Sequence, residues 1–203
     1  MIRAIAWDID GTLIDSEPVH HKALVAVSQR HGLHIADDDT RFIGVAMEEV
    51  WGVLAPQYPA GLDRYEWLAE IVDAYIGLVA ELMPIANAPE TVHALAAAGL
   101  PQCAVSNSAR RIVSANLKSM KLDKLMRFAI AREDVTHGKP DPEPYVLACE
   151  RLGLPPRDVL AIEDSAVGAA SARAAGMPVM RLGVDFVDFD AVHDFALGRR
   201  MRA

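Results

Sequence analysis

The chain has 203 residues, 52% of them apolar and 24% charged, enough for one substantial core and a small second unit. Its net charge of −8 argues against nucleic acid, which rewards Lys and Arg facing phosphates. No apolar run approaches the roughly 20 residues that span a bilayer, and the N-terminus lacks a signal-peptide pattern, so a cytoplasmic protein without membrane contact is expected.

Residues 2–7 form an apolar run that reads as a buried strand, and it ends on Asp8-Ile9-Asp10-Gly11-Thr12. More than 70 residues then pass before Pro89, far beyond the roughly two to six of a strand-to-helix loop. Residues 16–88 are therefore read as an inserted all-α cap domain, with apolar residues at helical spacing over 20–31, 47–54 and 65–82 and interruptions at Pro56 and Pro59. Trp51 and Trp67 read as cap core, since a Trp buries so much area. Between residues 17 and 88 only Lys22, Arg30, Arg41 and Arg64 face eleven acids, so most of the net charge falls there, as solvated helix faces.

From Pro89 the pattern becomes regular. Pro89 opens a helix that Gly99 stops, and apolar runs at 102–105, 128–130, 159–162 and 178–182 alternate with helical stretches. Such alternation predicts a parallel sheet. Asp141-Pro142 is read as N-cap and first-turn proline of a helix ended by Gly153, and a helix over 165–175 closes at Gly176. Cys103 and Cys149 lie in apolar segments without metal-ligand spacing and read as buried thiols. Arg199-Arg200-Met201-Arg202 reads as a solvated terminus. The expected architecture is α/β, a Rossmann-like parallel-sheet core from residues 1–15 and 89–203 carrying the cap.

If the sheet is parallel, four polar groups share one edge: Asp8 and Asp10 after the first strand, Ser106-Asn107-Ser108 after the second, Lys139 after the third and Glu163-Asp164 after the fourth. Clustered carboxylates repel unless a cation neutralises them, and Mg²⁺ suits an oxygen-rich set. The chemistry that fits is phosphoryl transfer. Asp8 would attack phosphorus, Asp10 would protonate the leaving alkoxide and then activate water, Lys139 would hold a phosphoryl oxygen, and Ser106 and the Asn107 backbone would donate hydrogen bonds. Alternatively, Ser106 and Ser108 cap a helix starting near Ala109, and Glu163-Asp164 cap the one starting near Ser165.

These motifs, in this order, resemble the haloacid dehalogenase superfamily of aspartyl-phosphate-forming enzymes. The DxDGT run is Asp8 to Thr12, the second-motif hydroxyl is Ser106, the third-motif lysine is Lys139 before Pro140, and the acidic pair is Glu163-Asp164. The IEDSAVGAASARAAGM stretch resembles the β-phosphoglucomutase-like subgroup, whose helical cap follows the first motif. The resemblance implies Mg²⁺ held by Asp8, by the Asp10 backbone carbonyl and by Asp164, with Glu163 ligating directly, through water, or only orienting its neighbour. His20 and Gly44 of the cap join Asn107 as expected substrate-binding residues.

A sugar-phosphate mutase of this subgroup usually carries an arginine in the cap loop where this chain has Met47, which removes a bidentate anion contact. The expected activity is therefore a Mg²⁺-dependent phosphatase acting on a sugar or polyol phosphate, with a mutase as the alternative and a non-catalytic binding protein as a third reading. Dehalogenases usually lack an acid at the place of Asp10, and phosphonatases use a cap lysine, for which only Lys22 is present. The expected partner is a small phosphorylated metabolite, and the expected assembly a monomer or weak dimer.

Overall fold

The computed structural model describes residues 1–36 and 38–198; the basic tail lies outside the described residues. In chain order the elements are β1 (Ala4–Trp7), β2 (Ile14–Asp15), α1 (Glu17–Arg30), α2 (Met47–Leu54), α3 (Arg64–Gly77), β3 (Met83–Pro84), α4 (Ala88–Ala97), β4 (Gln102–Val105), α5 (Arg110–Ser119), β5 (Ala129–Ile130), α6 (Glu143–Leu152), β6 (Val159–Glu163), α7 (Ala166–Ala174), β7 (Val179–Arg181) and α8 (Asp190–Ala196). They form two compact units, one of residues 1–15 with 83–203 and one of residues 16–82.

The first unit is built on a five-stranded sheet in the order β5-β4-β1-β6-β7, with every neighbouring pair parallel. β1, β4 and β6 are buried along their whole length, as expected of central parallel strands covered on both faces. Burial forces their polar groups to find partners: the indole N–H of Trp7 donates to Gln102 Oε1 at 2.7 Å, and Gln102 Nε2 donates to the Val92 carbonyl at 3.0 Å. Cys103 and Cys149 are buried and unbridged, and burial pushes the Cys149 thiol up to about 11.

Several local expectations shift by a residue or more. Residues 83–88 belong with the first unit, because Met83–Pro84 pairs antiparallel with Ile14–Asp15 in a separate two-stranded sheet and Ile85 N–H donates to the Leu13 carbonyl at 3.0 Å. α6 begins at Glu143, with Pro142 as its cap; Asp141 instead accepts from the Glu143 N–H at 2.9 Å. The helix expected over 65–82 starts at Arg64, where Asp63 caps it by accepting from Tyr65 and Glu66, and it ends at Gly77 before a 3₁₀ turn. Glycine is a poor helix interior residue.

The second unit is all helical. α1 and α3 pack on each other over a core that includes Leu24, Val27, Val50, Trp67 and Ile71. Trp51 stacks on Tyr58 at 5.8 Å, and Trp67 lies 5.3 Å from Trp51. Trp67 is fully buried and Trp51 partly so. No helix among the described residues is long and apolar enough to cross a membrane.

Candidate active site

The strand order β4-β1-β6 places three polar groups side by side at the carboxyl edge of the sheet. Asp8 extends β1 by one step, donating its N–H to the Ile162 carbonyl; Ser106 does the same after β4, donating to Ile130; Glu163 is the last residue of β6. Directly after β1 the chain turns tightly, with Leu13 N–H returning to the Ile9 carbonyl at 2.8 Å. Gly11 sits at φ +81° in that turn, and a Cβ there would overlap the Asp164 carboxylate. Both the left-handed backbone and the close approach demand glycine.

Lys139 organises one half of the site. Its ammonium spends all three donors, on Asp8 Oδ1 (2.7 Å), Glu163 Oε1 (2.6 Å) and the Val105 carbonyl (2.9 Å). Its side chain is 5% exposed and that of Glu163 is fully buried. Burial works against the ammonium, but the Asp8 and Glu163 carboxylates outweigh it and hold Lys139 above its usual value. Asp8 Oδ2 accepts from the Thr12 hydroxyl at 2.8 Å, and Thr12 also reaches Asp164 Oδ1 at 3.3 Å. Burial and the Glu163 carboxylate push the Asp8 carboxyl well above its ordinary range, against the pull of Lys139. Asp164 is raised by the same two causes.

Glu163 is engaged on both oxygens. Oε1 accepts from the Tyr145 hydroxyl at 2.6 Å as well as from Lys139, and Oε2 accepts from the Ser165 hydroxyl at 3.3 Å. The Lys139 ammonium also lies 5.2 Å from the centre of the Tyr145 ring. Ser165, not the acidic pair, caps α7 by accepting from the Gly168 N–H at 3.0 Å. Gly168 leaves the space that the Glu163 carboxylate fills, since a Cβ there would overlap both of its oxygens. Alanine gains up to about 1 kcal/mol over glycine in a helix, whereas overpacking costs about 1–3 kcal/mol, and a carboxylate held by three donors has nowhere to go. Gly168→Ala is therefore expected to lower the melting temperature, by up to about 8 °C, and to cut activity at least about tenfold through displacement of Glu163 and Lys139. Thermal melting and turnover measured side by side check this; unchanged values in both would contradict it.

The other half of the site surrounds Asp10. Its Oδ2 accepts from the hydroxyls of Ser106 (2.9 Å) and Ser108 (2.8 Å), and its Oδ1 accepts from Asn116 Nδ2 at 3.1 Å. The two serines therefore do not cap α5, which has no side-chain cap of its own; Glu133 accepts from the Arg110 N–H in their place. Asn107 serves the lysine loop, its side chain bonding both the N–H (2.8 Å) and the carbonyl (3.1 Å) of Lys139. That side chain packs on Gly138, where a Cβ would come within 2.7 Å of Asn107 Oδ1.

Asp8, Asp10, Ser106, Asn107, Lys139, Glu163 and Asp164 thus come together in the first unit. His20 and Gly44 belong to the second. There, the His20 ring lies 4.5 Å from that of Tyr75, and Gly44 N–H donates to Glu17 at 3.2 Å. Thr12, Asn116, Tyr145, Gly138 and Gly168 join the site without having been singled out as functional from sequence. Asn116 had a legible signal, a polar residue on the same face of α5 as Ile112, Val113 and Leu117. Tyr145 had none, because an aromatic residue in an apolar helix stripe reads as core.

Asp8, Glu163 and Asp164 each bring an oxygen within 4.8 Å of the others, and the Lys139 ammonium pairs with two of them, Asp8 and Glu163. An all-oxygen donor set with excess negative charge suits a hard divalent cation such as Mg²⁺. Residues 2–176 match the family model of the haloacid dehalogenase-like hydrolases. The chain belongs to that family. Among curated relatives, validoxylamine A 7'-phosphate phosphatase of Streptomyces hygroscopicus subsp. limoneus is 31% identical over 180 residues, covering 87% of this chain and 84% of the relative. Phosphoglycolate phosphatase of Escherichia coli O157:H7 is 32% identical over 209 residues, covering 89% and 81%. In structure, CbbY of Rhodobacter sphaeroides in complex with phosphate superposes with a TM-score of 0.80 at 24% identity, over 88% of this chain and 85% of that one. The haloacid dehalogenase-like fold thus covers nearly the whole described chain.

Proposed function

We propose that this phosphatase is Mg²⁺-dependent, acts through an aspartyl-phosphate on Asp8, and takes a small phosphate monoester of the sugar or polyol class. The observation that carries the reading is Asp8 itself: a nearly buried carboxylate at a strand end, fixed by Lys139 and Thr12, with Glu163 and Asp164 alongside. An oxygen of Asp8 attacks phosphorus, the bond from phosphorus to the substrate oxygen breaks, and the proton of the Asp10 carboxyl passes to the departing alkoxide. Asp10 then takes a proton from water as that water attacks phosphorus, releasing inorganic phosphate and restoring Asp8. Lys139 neutralises charge on the transferring group, the Asn107 backbone N–H is a donor for its oxygens, and the Ser106 hydroxyl becomes one by turning from Asp10 Oδ2, which Ser108 still holds.

Asp8 and Asp164 are the residues that would hold Mg²⁺, with the Asp10 backbone carbonyl. Glu163, bound at both oxygens by Lys139, Tyr145 and Ser165, is better suited to orienting its neighbours than to direct ligation. When bound, the cation supplies charge neutralisation for the attacking carboxylate and the phosphoryl oxygens. The acidic segment 17–88, with eleven acids against four basic residues, disfavours a second anionic group on the substrate, as does Met47 where mutases of the subgroup usually carry arginine.

The reading is tested by phosphate release from a panel of phosphate monoesters with Mg²⁺ or with a chelator. Release of inorganic phosphate from sugar or polyol monophosphates, lost on chelation, is expected; isomerised sugar phosphate without release would point to a mutase. Mg²⁺ is also expected to stabilise the fold, by about 2.7 kcal/mol at a hundredfold excess over its Kd, seen as a rise in melting temperature of roughly 5–10 °C. Asp164→Asn should abolish that rise, and its persistence in the variant would place the cation elsewhere.

A further inference from the structure

The placement of Asn116 raises a question that packing alone does not answer. α5 turns Ile112, Val113, Asn116 and Leu117 inward, and Asn116 is fully buried among them. A buried amide costs about 1–3 kcal/mol unless its hydrogen bonds are made, so a leucine would fit this stripe at lower cost. Its Nδ2 instead donates to Asp10 Oδ1 at 3.1 Å. The opposite oxygen, Oδ2, takes the Ser106 and Ser108 hydroxyls. Ser106 and Ser108 lie on the loop after β4, whereas Asn116 is on a helix locked by core packing. With donors from two different elements on its two oxygens, the Asp10 carboxylate has a defined rotation about its terminal bond.

We infer that Asn116 is a positioning residue for Asp10: it sets the plane of the carboxylate, and so presents one oxygen for proton transfer to the leaving group. The inference rests on the proposed role of Asp10 as the acid. Asn116 itself touches neither substrate nor phosphorus in this scheme. Loss of the amide removes the donor on Oδ1 and loosens the orientation that the two serine hydroxyls alone set from Oδ2, and proton delivery becomes slower while attack by Asp8 is untouched.

A leaving-group comparison separates positioning from simple structural support. An alkyl phosphate such as glycerol phosphate needs its departing oxygen protonated, whereas p-nitrophenyl phosphate expels a stable phenolate without help. kcat/KM reports the first irreversible step, formation of the phosphoenzyme. In Asn116→Leu, kcat/KM for glycerol phosphate is expected to fall about 10–100-fold, and for p-nitrophenyl phosphate by less than about threefold, with melting temperature preserved. If the leucine variant does not fold, Asn116→Ser, polar but too short to reach Asp10, carries the same comparison. An equal fall on both substrates, or no fall on either, would overturn the positioning role. Asp10→Asn is measured alongside and should discriminate between the two substrates more strongly. If it does not, Asp10 is not the acid, and both the mechanism and the positioning role fall. If it does while Asn116→Leu and Asn116→Ser do not, the positioning role alone falls.

Discussion

Asp8→Asn is expected to reduce turnover by at least about 10³-fold while leaving the protein folded. The amide is nearly isosteric, so packing beneath β1 is kept; its one oxygen can still accept from Lys139, while its N–H can donate to the Thr12 hydroxyl that donated to the carboxylate. What is lost is the nucleophile: a neutral carboxamide does not form the bond to phosphorus. The electrostatic environment survives, so residual binding of phosphate is expected. Turnover by phosphate release gives the first measurement. A hydroxylamine-sensitive phosphate label on wild-type protein, absent from Asp8→Asn, gives the second. Turnover within tenfold of wild type would exclude aspartyl-phosphate chemistry at this position.

Lys139→Met is expected to cost both activity and stability, and the two losses have different causes. Activity falls at least about 10²-fold because the ammonium no longer meets the transferring phosphoryl group. Stability falls because Asp8 and Glu163 are left buried against each other, with the Val105 carbonyl also deprived of its donor. Breaking a buried pair from one side costs about 3–5 kcal/mol, which corresponds to a drop in melting temperature of roughly 6 °C or more. The pH dependence has a definite sign. Burial and the neighbouring carboxylate already hold the Asp8 carboxyl above its ordinary value, and removing Lys139 removes the positive charge that lowers it. A carboxyl raised in the folded state favours folding below its unfolded pKa, and that contribution is lost as pH rises through the native value. The variant's deficit in melting temperature should thus be small at acid pH and grow toward neutrality. A deficit independent of pH would mean that lost packing, not unpaired charge, destabilises the variant.

Much of this site was open to view along the chain because its parts are tied to strand ends. Asp8, Ser106 and Glu163 each follow or finish an apolar run, and in a parallel sheet such ends share one edge whatever the detailed packing. The lysine needs only a loop long enough to return, so Lys139 was equally legible. The local assignment of caps was less secure. Ser106 and Ser108 carry the composition of helix caps, yet both hydroxyls go to Asp10 and a glutamate 23 residues on receives the Arg110 N–H. Capping is decided by which acceptor or donor wins in three dimensions, and the partly buried Asp10 carboxylate outcompetes a helix end that water or Glu133 can satisfy.

The amino-acid sequence by itself determined the alternation of strands and helices, the long insertion after β1, and the set of charged groups at the sheet edge, because periodicity and chain order carry that information. Tertiary structure alone decided the partners: that Lys139 divides its three donors among Asp8, Glu163 and Val105, that Tyr145 and Gly168 shape the place of Glu163, and that Asn116 reaches Asp10 from inside an apolar helix face. Those contacts join residues far apart in the chain through distances of about 3 Å, and the pattern of a single helix or strand does not encode where its buried face will meet another.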